Sequence, residues 1–92
     1  METSINGVVI ADARQDDLPL IYANKPFLRM TGYSLDEVIG RNCRFLAGKD
    51  TDRKAVVELR RRIEQSRDAR MTLLNYRKDG TPFWNDLFVS PV

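Results

Sequence analysis

The stretch MTLLNYRKDGTPFWNDLFVSPV, residues 71–92, constrains this chain more than any other. Apolar and polar residues alternate on both sides of Asp79-Gly80, and an Asp-Gly pair between two alternating runs is a strong signal for antiparallel strands joined by a tight turn. The turn length then fixes which way every side chain faces. With only Asp79 and Gly80 in the loop, Lys78 pairs with Thr81 and Asn75 with Trp84, so Asn75 and Asn85 point to opposite faces. With a three-residue loop of Asp79 to Thr81, and Gly80 near the left-handed region, Asn75 pairs with Asn85 and the two amides share a face. The residues alone leave both loops open.

Upstream, GVVIAD at 7–12 is a β-branched run that ends in a polar turn region, and LPLIYAN at 18–24 supplies a second apolar run; together they predict another hairpin. Pro26 followed by FLRMTGY predicts a short helix stopped by Gly32, with Phe27, Met30 and Leu28 inward. Ser34 and Glu37 match the S-x-x-E capping box, in which each side chain satisfies an otherwise unpaired backbone N–H, so a further short helix starts there and stops near Gly40. NCRFL reads as one more helical turn packed under the sheet. Thr51 or Asp50 can cap a longer helix through TDRKAVVELRRRIEQSRD, where Val56, Leu59 and Ile63 recur at helical spacing beside Ala55. At about 100° per residue, Arg61 lies far from the Leu59 stripe while Arg60 and Arg62 flank it on opposite sides. Strands outside and helices in the middle predict an α+β fold, an antiparallel sheet with short helices on one face, in a single domain spanning 1–92.

A chain of 92 residues buries only about 60% of the surface that its unfolded form exposes, so its core is small. Hydrophobic residues at 42% and charged residues at 30% suit a globular protein. No apolar run is long enough to span a bilayer, and METSINGVVIADARQDD lacks the basic start and apolar centre of a signal peptide, which makes the cytoplasm the expected location with no membrane partner. The sole cysteine, Cys43, has no disulfide partner and no zinc-type cluster around it. The absence of histidine removes imidazole-dependent nucleophilic systems and most transition-metal sites. A net charge of +2 does not announce nucleic acid, and Arg60, Arg61 and Arg62 spread around their helix rather than forming a stripe.

The run GRNCRFLAG at 40–48, with NYRKDG at 75–80 and FWN at 83–85, resembles the light-oxygen-voltage (LOV) subfamily of PAS domains, the flavin-binding blue-light sensors. The resemblance extends upstream through NKPFLRMTGYSLDEVIG and downstream to SPV, and so covers almost the whole chain. It implies FMN held noncovalently and a cysteine that forms a reversible thioether adduct with flavin C4a under blue light. Cys43 matches that cysteine. The excited flavin would be the activating agent, so no histidine base is required. Because the bond is stoichiometric and reverses in the dark, the resemblance implies a photoreceptor input module for an effector domain in a longer protein, and not an enzyme.

By the same resemblance, Asn42, Cys43, Arg44, Ala47, Arg60, Asn75 and Asn85 fall on FMN-contacting positions. Arg44 and Arg60 would offer planar guanidinium donors to the ribityl phosphate. Asn75 and Asn85 would meet the pyrimidine edge of the flavin, which, like an amide, both donates and accepts. Val9, Ala11, Ile39, Leu46, Leu73, Leu87 and Phe88 are candidates for the pocket wall or for general core. Glu37 and Lys78 match a family salt bridge that would brace the cysteine-bearing helix against the hairpin.

Two departures stand out. Position 47 is usually glutamine in the family, and Ala47 offers the ribityl chain no polar contact. The family also continues after SPV into a final central strand with another flavin-contacting glutamine; this sequence stops before it, which would leave two sheet edges unpaired and open to a homodimer. An alternative reading follows from both departures: a PAS-type ligand-binding or dimerisation module without flavin photochemistry, in which Cys43 responds to redox state.

Overall fold

The computed structural model describes residues 7–92; residues 1–6, where the stretch weighed as a signal peptide begins, lie outside them. Strands β1 (Gly7–Ala11) and β2 (Leu20–Ala23) come first. Helices α1 (Lys25–Thr31) and α2 (Leu35–Val38), a 3-10 turn (Cys43–Leu46) and helix α3 (Arg53–Glu64) follow, before strands β3 (Ala69–Tyr76) and β4 (Pro82–Pro91). The class is α+β as expected, with one four-stranded sheet in the order β2-β1-β4-β3.

The sheet is mixed rather than purely antiparallel. β1 pairs antiparallel with β2, and β3 with β4, but β1 and β4 run parallel, with Gly7 opposite Leu87 and Ala11 opposite Pro91. The two edges expected to stand open are therefore paired with each other, and the sheet's edges are β2 and β3. The physical reason lies in β4. Its inward residues Leu87 and Val89 and the inward Val9 of β1 are almost wholly buried, and the β1–β4 register places all three on one face.

Helix boundaries follow local chemistry. Asn24 caps α1 by accepting from the Phe27 N–H, and Gly32 ends it in the left-handed region at φ 81°. Ser34 and Glu37 form the expected capping box of α2. The cap of α3 is Asp52, which accepts from the Lys54 N–H, and neither Thr51 nor Asp50 takes that place. Thr51 is buried and used otherwise: its hydroxyl accepts from Gly48 N–H at 2.9 Å and donates to the Leu74 carbonyl at 2.6 Å. The helix stops at Glu64, short of the 51–68 span that its sequence pattern covers.

The β3–β4 register differs from both loops weighed above. Arg77 pairs with Thr81 through a 2.9 Å backbone hydrogen bond, so the loop is Lys78, Asp79 and Gly80, with Gly80 at φ 91°. It has three residues but begins one position earlier than expected, and Asn75 lies opposite Phe83 while Leu73 lies opposite Asn85. The shift preserves parity, so Asn75 and Asn85 share the inner face as diagonal neighbours. Asp79 fixes the turn by accepting from the Thr81 N–H at 3.0 Å and hydroxyl at 2.7 Å.

Helices α1 and α3 cover the inner face, closing a core that includes Val9, Leu20, Phe27, Val38, Leu46, Leu59, Ile63 and Leu87. Arg77 ties α1 to the hairpin, donating from Nε to the Met30 carbonyl at 3.0 Å with its guanidinium 4.6 Å from the Phe83 ring centre. Lys78 Nζ donates to Glu37 Oε2 at 2.6 Å, which joins the hairpin to α2 rather than to the cysteine-bearing turn.

Between the 3-10 turn and α3 the chain passes against the ring of Tyr76, whose hydroxyl accepts from Asp50 N–H at 3.0 Å. A Cβ on Gly48 would fall inside the van der Waals surface of that ring. Gly48→Ala should therefore cost about 1–3 kcal/mol of stability, the usual penalty of overpacking. Chemical denaturation checks this, and a midpoint equal to the parent's would mean that the ring gives way freely.

Candidate functional site

The inner faces of β3 and β4, the 3-10 turn and one side of α3 enclose a cavity of about 80 Å³. Its walls are apolar: Leu18, Val56, Leu59, Ile63, Leu73 and Leu87. Its polar and reactive groups are Asn42, Cys43, Arg44, Arg60 and Asn75. A second cavity of about 280 Å³ lies alongside, lined by Arg44, Ala47, Gly48, Lys49, Arg53 and Val56. The two share Arg44, Ala47 and Val56 and so adjoin along the 3-10 turn and the start of α3.

Cys43 begins the 3-10 turn because Asn42 caps it, the Asn42 side chain accepting from Arg44 N–H at 2.9 Å. The capped turn holds the thiol at the cavity wall. Cys43 keeps part of its surface open, yet burial around the sulfur outweighs the nearby Arg44 charge and pushes the thiol up to about 11 from an ordinary 9. The thiol is protonated at neutral pH.

Asn75 and Asn85 form a short amide chain. Asn75 Nδ2 donates to the Leu74 carbonyl at 3.2 Å, and Asn85 Nδ2 donates to Asn75 Oδ1 at 3.0 Å. Asn85 is fully buried, and its Oδ1 accepts no hydrogen bond among the described residues. A buried acceptor without a donor costs about 1–3 kcal/mol, a cost that a ligand's N–H aimed at the same atom would remove.

At the other end of the cavity the arginines meet. Arg44 makes a two-pronged contact with Asp17, Nη1 to Oδ1 at 2.8 Å and Nη2 to Oδ2 at 2.7 Å, and Arg60 Nη1 reaches the same Oδ1 at 3.2 Å. Arg60 Nε also binds Glu64 at 3.1 Å. Both guanidinium groups hold the Asp17 carboxyl below the usual range, Arg44 more strongly. Arg61 and Arg62 turn away from the cavity to share Glu58.

The sequence-predicted residues thus divide. Asn42, Cys43, Arg44, Ala47, Arg60, Leu73, Asn75 and Leu87 surround the two cavities, and Asn85 reaches them through Asn75. Val9, Ala11 and Leu46 lie in the packed core and line neither cavity. Phe88 projects from the opposite face of the sheet to its neighbours Leu87 and Val89, as alternation along β4 requires. Ile39 is largely exposed. Leu18, Val56 and Asp17 were not legible as site residues. Val56 could have been taken from its place one turn before Arg60, whereas nothing local marks Asp17 or Leu18.

A family model described as a PAS domain matches residues 5–92. Blue-light-activated histidine kinase 1 of Erythrobacter litoralis is 51% identical over 85 residues, covering 92% of this chain and 24% of the relative. A solved LOV domain from the E. litoralis EL346 blue-light-activated histidine kinase superposes with a TM-score of 0.76 at 53% identity, over 83% of this chain and 70% of that one. A light-oxygen-voltage domain structure named for what a flavin analogue reveals of its mechanism gives 0.75 at 53% identity, over 86% and 58%. The chain spans about a quarter of the curated kinase, so that relative is a longer protein carrying a further, effector part. The expectation that excluded enzymes is corrected by that relative, which is named as a kinase; the similar EL346 structure is the LOV domain of such a kinase. No helix among the described residues is long and apolar enough to cross a membrane. Matched along nearly its whole length, the chain belongs to the PAS domain family and, within it, to the LOV domains.

Proposed function

We propose that this domain is the blue-light-sensing input module of a longer signalling protein, that its cofactor is FMN, and that Cys43 is its photoreactive group. The observation that carries the reading is the convergence on one apolar cavity of a buried, proton-bearing thiol, two arginines and Asn75, behind which Asn85 holds an unsatisfied acceptor.

Each group has a task that its chemistry suits. Asn75 and Asn85 would orient the ring's pyrimidine edge, the orphaned Asn85 Oδ1 accepting a ring N–H. Arg44 and Arg60 would hold the phosphate at the opposite end. Leu59, Ile63, Leu73 and Leu87 would sandwich the ring and exclude water. Bound there, the flavin would supply the blue absorption and the light-activated reactivity, and Cys43 at the cavity wall would supply the sulfur and its proton for a reversible adduct. Cys43 holds that proton on Sγ at neutral pH because burial keeps the thiol neutral. Ala47 leaves the ribityl chain without a polar partner, so the arginines and amides carry more of the binding.

Three outcomes are expected. The purified chain supplied with FMN should show a structured flavin band that bleaches under blue light and recovers in darkness, and Cys43→Ala should keep the band while losing the bleaching. A mutant that still bleaches reversibly would remove Cys43 from the mechanism. Arg60→Ala should weaken FMN binding roughly three- to tenfold, while Arg61→Ala leaves it near the parent value, as titrated by flavin fluorescence; equal losses would sink the arginine assignment. Alkylation of Cys43 proceeds through the thiolate, so its rate should keep climbing as pH rises toward about 11, where an unperturbed thiol would level off near 9.

A further inference from the structure

Asp17 and Leu18 are consecutive residues in the left-handed backbone region, at φ 65° and 52°. An aspartate tolerates that region, but a leucine there is strained and persists only where surrounding contacts over-determine it. Here two sets of contacts do so. The Leu18 side chain is buried and forms part of the cavity wall. Asp17 is fastened from three directions: its carboxylate by Arg44 and Arg60, and its carbonyl by Asn42 Nδ2 at 2.8 Å. Asn42, Arg44, Arg60 and Leu18 all line the same cavity, so this segment closes the end at which the arginines stand.

We propose that Asp17 and Leu18 form a latch over the flavin pocket, in which the Asp17 carboxylate occupies the two arginines that a ligand's phosphate requires and thereby limits the preference for a phosphorylated flavin. The proposal rests on the flavin reading above and adds a specificity determinant to it. A carboxylate and a phosphate compete for one planar guanidinium fork. A phosphate must therefore displace Asp17 rather than find free donors, and it gains only the difference between two charge-assisted contacts. Glu64, on the Arg60 Nε, reduces the spare positive charge further. The ion pairs are half exposed, with side-chain exposures of 48% for Arg44, 44% for Arg60 and 51% for Asp17, so they can open without unfolding the core. Once Asp17 lets go, the strain at Leu18 can relax, which withdraws the leucine from the pocket as the arginines turn to the ligand.

The test compares FMN with riboflavin, which lacks the phosphate, on the full chain and on Asp17→Asn, with Asp17→Ala as a second variant. Asparagine keeps the tolerance for positive φ and the backbone carbonyl bonded to Asn42 while removing the charge. The latch predicts that Asp17→Asn tightens FMN by roughly three- to tenfold, from the loss of one exposed but bidentate competitor, and changes riboflavin by much less. Equal changes for both flavins, or weaker FMN binding, would overturn it and make Asp17 a positioning residue for the arginines. If neither chain takes up any flavin, the flavin reading falls by itself and inorganic phosphate decides the latch. A larger phosphate-induced rise in melting temperature for Asp17→Asn than for the parent sustains it, and identical shifts end it.

Discussion

Everything in this fold hangs on the parity of the β3–β4 pairing. A turn of Lys78, Asp79 and Gly80, with Gly80 in the left-handed region, puts Leu73, Asn75, Phe83, Asn85, Leu87 and Val89 on the inner face together. A slip of one residue on β4 would bring Trp84, Asp86 and Phe88 inward, and a buried Asp86 would lose the solvent beside its pair with Arg70. The constraint travels, because β4 is also the partner of β1 and sets the height of Val9 against Val89. The parity of one turn therefore governs the core, the cavity wall and the amide chain at once.

That arrangement is not the one that stability alone would choose. Asn75 and Asn85 stand on the inner face where apolar side chains would pack without polar cost, and one amide oxygen stays unsatisfied. In a domain whose whole stability is of the order of 5–15 kcal/mol, an orphaned acceptor at about 1–3 kcal/mol is a considerable fraction. The strained Leu18 adds to it. Leu18 lines the cavity, and Asn85 is joined to it through Asn75. Local rules fail where a ligand would repair them.

This explains which parts were legible in the residues. The hairpins, the Ser34-Glu37 box and the Gly32 stop rest on local chemistry, and local chemistry is written in consecutive residues. The turn residues leave the parity of the second hairpin open, because Asp-Gly serves two loops; the family resemblance favours the three-residue loop, while the exact register depends on Asp79 bonding Thr81. Asp52 displaced Thr51 as the cap of α3 because Thr51 had a better use inside, a contest decided by Leu74, 23 positions away. The parallel β1–β4 pair was out of reach for the same reason, since it joins residues about 80 positions apart. Of the site, the motif residues Asn42, Cys43, Arg44, Asn75 and Asn85 could be named in advance. Asp17 could not, because its role arises only when the first hairpin loop meets α3.

The electrostatics of that meeting bear on Cys43 as well. A reactive cysteine ordinarily stands near uncompensated positive charge, which lowers its pKa and fills the thiolate state. Cys43 is adjacent to Arg44, yet its thiol moves the other way, burial being the dominant influence and the arginine a minor one. Burial outweighs the field of that guanidinium, which is itself paired with Asp17. That ion pair stands beside the pocket, while burial keeps the thiol neutral. For the photoreactive role proposed for Cys43, a protonated and weakly nucleophilic resting state is the useful one. It resists dark oxidation and alkylation. A chain without histidine is consistent with that chemistry: a nearby imidazole would draw the proton off in the dark, so the cysteine's want of a base is part of what makes it suitable.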